Sequence, residues 1–314
     1  MKKKTLKILI IAIIVIIVMI SGGSVYMLRY ALGSQKLPYD EYYDSLYLRE
    51  PDIKPWVDSL RHLGEMRDTV VVLSNGEYSQ ALFARKQGAC GHTAILVHGY
   101  KDAAVKMLPY ARLYHDMGMN ILLPDLHGHG LSDGSDIQMG WKDRLTIEEW
   151  MSIAANVFSS TGDTTRIYLH GISMGAATVM NVAGDNPPYL VATVEDSGYT
   201  SAWEEFTQEL RNRFSLPQFP IMYTTSTLCQ LRYGWSFDEA SPLLQVAKAR
   251  CPMLFIHGNA DDFVPTSMVY PLFNAKQGYK EIWVTEDSKH VQSLHDHPEE
   301  YQKRIKSFVS RKTE

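Results

Sequence analysis

Cysteine is scarce in this chain, with three in 314 residues, at Cys90, Cys229 and Cys251. They lie far apart, show no metal-ligand spacing, and as an odd number cannot all pair internally. A disulfide scaffold and a thiolate metal centre are therefore excluded. Buried free thiols are the plain reading, and one disulfide stays open if the domain is exported. Excess positive charge is also missing: 31 Lys and Arg stand against 35 Asp and Glu, a net charge of -4. No basic stripe interleaved with aromatics is present either, so no nucleic-acid partner is expected. Internal repeats are absent, and so are low-complexity tracts beyond the N-terminus. His127 and His129 lie close together, but they sit in a glycine-rich loop with no carboxylate–histidine set at metal spacing. Neither a metal nor a cofactor is expected.

What is present is globular in composition, 45% hydrophobic and 21% charged, at a length suited to one large α/β domain or two small ones. The first segment stands apart from it. Lys2, Lys3, Lys4 and Lys7 precede an almost uninterrupted apolar run over 8–20, then Ser21-Gly22-Gly23-Ser24 and a second apolar stretch to Leu28. Residues 8–28 match the roughly 20 residues that span a bilayer. The lysines belong on the cytoplasmic side, which places the bulk of the chain outside the cytoplasm. A cleaved signal peptide is the competing reading, although no A-x-A site and no cysteine for lipid attachment occur there. The chain divides accordingly into an anchor or signal segment (1–30), a linker with a short helix near 53–63 (31–66), and a globular domain (67–314). The tyrosines at 39, 42, 43 and 47 read as packing or membrane-interface residues.

The globular part begins with two apolar strands, 67–73 and 79–84, joined through Asn75-Gly76, a hairpin turn signal. Residues 93–97 (TAILV) and 120–123 (NILL) are continuous apolar runs, as in strands buried on both faces. Between them, 107–117 reads as a helix closed by Gly118. Thr146 and Glu149 form a capping box for a helix whose Ile147, Trp150, Met151, Ala154, Val157 and Phe158 make a core-facing stripe. Further strands are predicted over 166–172, 190–195, 251–257 and 280–284, and a closing amphipathic helix over 298–309. The alternation predicts an α/β fold with a mostly parallel sheet and helices on both faces. About 50 residues separate two of these strands, far above the usual connection length. With Trp203, Phe206, Leu210 and Phe214 on one helical face and Ile221, Met222, Leu228 and Leu231 suggesting a second helix, 197–247 reads as a helical lid.

The chemistry converges on RIYLHGISMG at 166–175. A short strand breaks at Gly171-Ile172-Ser173-Met174-Gly175 and continues into a small-residue helix. A G-x-S-x-G nucleophile elbow needs this strand–turn–helix context, with neighbours small enough to let strand and helix close. In open α/β sheets, ligands bind at the carboxyl ends of the strands. Ser173, Asp261 and His290 all fall there, in the chain order Ser, Asp, His. A serine hydroxyl needs a neighbouring base to attack a carbonyl. His290 fits that role, and Asp261 would hold the imidazole in the right tautomer. The backbone N–H groups of Met174 and Tyr100 are the expected oxyanion donors. For the base, His295 and His297 are alternatives; for the acid, Asp262 and Asp196.

Four segments together, VHGY at 97–100, DLHGHGLSDG at 125–134, GISMG at 171–175 and HGNADDFVP at 257–265, resemble the α/β-hydrolase superfamily, within the branch of serine aminopeptidase-like and prolyl-oligopeptidase-like bacterial hydrolases. The resemblance covers roughly 69–309. It departs from the family only beside the histidine, where Ser288-Lys289 stands in place of the frequent glycine. It implies an α/β-hydrolase fold and a serine hydrolase acting on a small-molecule ester, thioester or amide, or on a peptide. An ester is favoured, because no obvious acidic pair grips a peptide amino terminus, although Glu204, Glu205 and Glu209 lie in the lid. An acyltransferase and a non-catalytic binding protein on the same fold are the other readings.

Overall fold

The computed structural model describes residues 3–88, 91–159 and 164–311. An N-terminal helix α1 (Lys3–Leu32) leads to α2 (Tyr39–Arg49) and α3 (Ile53–His62). The hairpin β1 (Met66–Val72) and β2 (Tyr78–Ala84) follows, then β3 (His92–Val97), α4 (Leu108–Asp116), β4 (Asn120–Pro124) and α5 (Asp143–Phe158). The centre of the chain forms β5 (Arg166–Ile172), α6 (Met174–Asp185) and β6 (Leu190–Asp196). Three helices come next, α7 (Ala202–Phe214), α8 (Ile221–Tyr233) and α9 (Pro242–Val246). The chain closes with β7 (Met253–Gly258), α10 (Val269–Ala275), β8 (Lys280–Thr285), α11 (Ser293–Asp296) and α12 (Pro298–Ser310).

The eight strands form one sheet in the order β1-β2-β4-β3-β5-β6-β7-β8. Only β2 runs antiparallel to its neighbours; β4 through β8 are parallel. Side chains alternate between the two faces of a strand, and the buried core divides that way. Ala94, Leu96, Ile121, Leu123 and Tyr168 join the cluster under α2–α4 and α12. Ile95, Val97, Leu122, Ile167 and Leu169 join the one under α5–α8. That division accounts for the continuous apolar runs, since both faces are covered.

Register aligns the strand ends that matter. Val97 pairs with Gly171, Ile172 with Asp196, Asp196 with Ile256, and Gly258 with Thr285. The loops after β3, β5, β7 and β8 therefore leave the sheet at one edge, where parallel α/β sheets bind ligands.

Three local readings change. The segment before the hairpin holds two helices: α2 precedes α3 and buries Tyr42 and Leu46 against Ile53, Val57 and Leu60. Helix α5 begins at Asp143, whose carboxylate accepts the N–H of Gly140 at 2.8 Å. Thr146 therefore lies inside the helix, and Glu149 accepts from the N–H and hydroxyl of Ser74 at 2.8 and 2.6 Å. Leu231 is 78% exposed, on the outer side of α8.

Helix α1 has two regimes. Its N-terminal part exposes Ile8, Leu9, Ile10, Ile11, Ile13, Ile14 and the apolar side chains through Met19. It is the one described helix long and apolar enough to cross a membrane. Its last turns are integral to the domain. Leu28 and Leu32 are buried in the core cluster, and Leu32 O accepts from Ile137 N–H at 2.7 Å.

Candidate active site

The apex of the elbow is Ser173, with φ 54° and ψ -120°. A non-glycine residue held there costs on the order of 1–3 kcal/mol and persists only where its surroundings over-determine it. Here they do. The Ser173 N–H donates to Asp196 O at 2.8 Å. A Cβ on Gly171 would lie 2.1 Å from Gly175 O, and one on Gly175 would lie 2.0 Å from Val97 O. Glycine is thus required at both positions by backbone contact. With the turn closed this way, Met174 opens α6, and its N–H is among the first-turn donors that the helix itself leaves unsatisfied.

The loop after β3 approaches from the side. A Cβ on Gly99 would sit 3.4 Å from Ser173 Cβ, so the backbone at Tyr100 passes beside the nucleophile position. Two buried histidines fix that loop. His98 donates from Nδ1 to Gly99 O at 2.8 Å and accepts the Leu126 N–H at Nε2 at 3.0 Å. His129 accepts the Lys101 N–H at Nε2 at 3.1 Å. Burial pushes His98 down to about 4 and His129 well below the usual imidazole range, so both stay neutral and able to accept. The histidines of the 125–134 loop thus act as hydrogen-bond supports. His127 lies between Glu77 (2.8 Å) and Asp136 (3.4 Å).

From the other end of the sheet, His290 Nε2 lies 2.9 Å from Ser173 Oγ, and His290 Nδ1 lies 2.7 Å from Asp261 Oδ2. With Nδ1–H donating to the carboxylate, Nε2 is free to accept the serine proton. Asp261 is buried, and its Oδ1 accepts from the N–H groups of Phe263 (3.0 Å) and Val264 (2.9 Å). Burial alone would raise its pKa, but hydrogen bonds from His257 and His290 outweigh it and bring the carboxyl to about 2. The group is a carboxylate throughout the physiological range. The alternatives lie elsewhere. Asp262 is exposed. Asp196 accepts from Tyr301 Oη at 2.8 Å and from Ser197 Oγ at 3.0 Å. His295 lies 3.4 Å from Glu50, and His297 donates to Glu286 O at 2.9 Å.

Sequence reasoning missed His257. Its Nε2 lies 2.9 Å from Val264 O and 3.3 Å from Asp261 Oδ2, so it braces the loop that carries the carboxylate. Its spacing four residues before Asp261 was the available signal. Also missed was the cavity beside Ser173, about 320 Å³, which lies between the β3 loop, α7, α8 and the end of α1. Cys229 and Cys251 are free thiols, and Cys90 lies outside the described residues.

Comparison with known proteins agrees with this fold. The Bacillus subtilis (strain 168) protein YqkD is 30% identical over 222 residues, covering 69% of this chain and 71% of that protein. A thermostable monoacylglycerol lipase from Bacillus sp. (strain H-257) is 24% identical over 262 residues, covering 78% of this chain and 98% of the lipase. The Pyrococcus furiosus esterase Pf2001 superposes with a TM-score of 0.64 at 22% identity, over 79% of this chain and 92% of the esterase. The sequence pattern described as "Alpha/beta hydrolase family" matches residues 94–303, about two thirds of the chain, and with the sheet order and elbow in place the chain belongs to that family.

Proposed function

We propose that this protein is a membrane-anchored serine hydrolase that cleaves carboxylic esters through an acyl-enzyme, with Ser173 as nucleophile, His290 as general base and acid, and Asp261 as its orienting carboxylate. One observation carries the reading: the unbroken hydrogen-bond chain from Ser173 Oγ through His290 to Asp261, at 2.9 and 2.7 Å.

Ser173 Oγ attacks the ester carbonyl while its proton passes to His290 Nε2, and Asp261 stabilises the imidazolium. The backbone N–H groups of Tyr100 and Met174 receive the oxyanion. The C–O bond to the alcohol then breaks, and the proton on Nε2 goes to the leaving oxygen. Water repeats the sequence on the acyl-enzyme, releasing the acid and restoring the serine.

Ester chemistry is favoured over cleavage at a peptide amino terminus because the two lid acids that line the cavity, Glu205 and Glu209, do not form a free anionic pair. Glu204 accepts from Thr200, and Glu209 is paired with Arg213. Burial raises Glu205 to about 8, which keeps it neutral at pH 7. Anchoring is supported by α1 itself, whose exposed apolar part continues without a break into turns packed on the domain. The lysines before it support a domain outside the cytoplasm.

The test is hydrolysis of p-nitrophenyl esters by the full-length Ser173→Ala variant. The rate should fall on the order of 10⁶-fold, as for triad knockouts in other serine hydrolases. An unchanged rate would remove the mechanism.

A further inference from the structure

The cavity beside Ser173 has a wall that no serine-hydrolase chemistry requires. Met27, Tyr30 and Ala31 of α1 line it together with Ser173, Phe214 and Ile221. The helix is fastened there by several contacts. Tyr100 Oη donates to Ala31 O at 2.6 Å, from the residue proposed above as an oxyanion donor. Ser24 Oγ and Thr224 Oγ1 lie 2.6 Å apart, joining α1 to α8. The Tyr30 and Phe214 rings meet edge to face at 5.3 Å.

The length of α1 fixes where this wall stands. At 1.5 Å per residue, residues 8–20 extend only about 20 Å, short of the ~30 Å hydrocarbon core. Spanning it takes about 20 residues, which from Ile8 reaches Met27. The turns that pack on α8 and line the cavity therefore sit at the outer edge of the bilayer. The surface around them suits that place: Tyr26 is 57% and Tyr223 53% exposed, the amphipathic aromatic side chains favoured at membrane interfaces, and the apolar Phe219 packs beside Tyr223. Tyr30 of α1 both lines the cavity and is 41% exposed. Its interior is mostly apolar, with Met139, Met174, Leu210 and Phe237 among the lining residues. The charged groups on the lining include Glu209 paired with Arg213 and Lys101, whose ammonium lies over the Tyr100 ring at 5.0 Å.

On the reading that Ser173 is the nucleophile of an anchored esterase, we propose that this cavity is an acyl-chain site walled by α1 and filled from the bilayer, so that the substrate is a fatty-acyl ester of a membrane-resident amphiphile. The volume of about 320 Å³ lies at the small end of ligand pockets and suits one acyl chain. The membrane helix then serves a second purpose, as a determinant of chain length.

The test uses full-length protein reconstituted in phosphatidylcholine vesicles, with Ser173 labelling by a fluorophosphonate as the measure of folded enzyme. Ala31→Phe, which fills the cavity from the α1 side, should lower the ratio of long-chain to acetyl ester kcat/KM by about tenfold or more, the scale of one mismatched methylene or above. Met27→Ala, which widens it, should shift the optimum to longer chains. Leu48→Ala, on the 88% exposed Leu48 of α2, should leave the profile unchanged. If wild type hydrolyses esters while neither α1 variant moves the profile, α1 is not a wall of the site. A fluorogenic medium-chain acylglycerol in the enzyme's own vesicles should be cleaved at least tenfold faster than the same ester supplied in separate vesicles. Equal rates would overturn delivery from the bilayer. Absence of any ester hydrolysis or labelling by wild type would instead remove the esterase reading itself.

Discussion

At the sheet edge, Ser173, His290 and Asp261 are positioned by backbone contacts that leave no freedom: Gly175 against Val97 O, the Asp196 carbonyl on the Ser173 N–H, and two backbone N–H groups on Asp261. Across the cavity, α1, α7 and α8 are positioned by apolar packing, with Leu28, Leu32, Leu210 and Met222 buried in one cluster. Polar geometry tolerates little change, because a displaced donor loses its bond. Apolar walls tolerate volume-conserving exchange. Reaction chemistry should therefore be fixed in the first region and substrate choice adjustable in the second.

The largest effect that can break this contrast is at Asp261. Asp261→Asn keeps the shape of the side chain but favours the wrong tautomer of His290, and kcat for ester hydrolysis should fall about 10⁴-fold. A fall below tenfold would mean that the carboxylate does not orient the histidine. Next is Gly175→Ala. Its Cβ would meet Val97 O at 2.0 Å and His98 O at 2.6 Å, so the elbow and the β3 loop must separate. Misplacing one oxyanion donor costs about 2.7–4 kcal/mol of transition-state stabilisation, a loss of 10²–10³ in kcat, accompanied by a lower Tm. Wild-type kinetics in this variant would show that the two loops are not held by contact.

The last effect concerns the cavity side and is a matter of stability rather than of rate. Burial raises Glu205 from its ordinary 4.5 to about 8. Between those values the folded chain keeps a proton that the unfolded chain has released, so stability falls as pH rises from about 4.5 to 8. The slope from one such group is about 1.4 kcal/mol per pH unit. Glu195, raised to about 8, and Asp143, raised to about 7, act in the same direction. Glu205→Gln should flatten the decline in Tm between pH 5 and 8 while leaving the remainder from the other raised carboxyls, Glu148 and Asp196 among them. An identical pH profile would place Glu205 in contact with solvent.

The same contrast explains how much was legible in the sequence. Strands buried on both faces leave uninterrupted apolar runs, and strand-end residues of distinctive type stand out against them, which is why Ser173, Asp261 and His290 could be named as candidates beside a mostly parallel sheet, while the strand order could not. His257 was hidden because its function depends on Asp261 turning back toward the strand it left. Helix α2 was obscured because only Tyr42 and Leu46 are buried along it, in a segment otherwise rich in tyrosine and aspartate. The start of α5 was misread because Asp143 and Thr146 are both capping residue types, and a tertiary contact, Glu149 on Ser74, decides between them. The wall made by α1 was illegible for a simpler reason. Leu28 and Leu32, facing protein, look the same in sequence as side chains facing lipid.

The most direct measurement is the site of covalent capture. Full-length protein treated with a fluorophosphonate, digested and mapped by mass spectrometry should carry the label on Ser173, and His290→Ala should slow that labelling in step with its loss of ester hydrolysis. A label confined to another serine, or ester hydrolysis that survives full occupancy of Ser173, would contradict the assignment of Ser173 as the nucleophile.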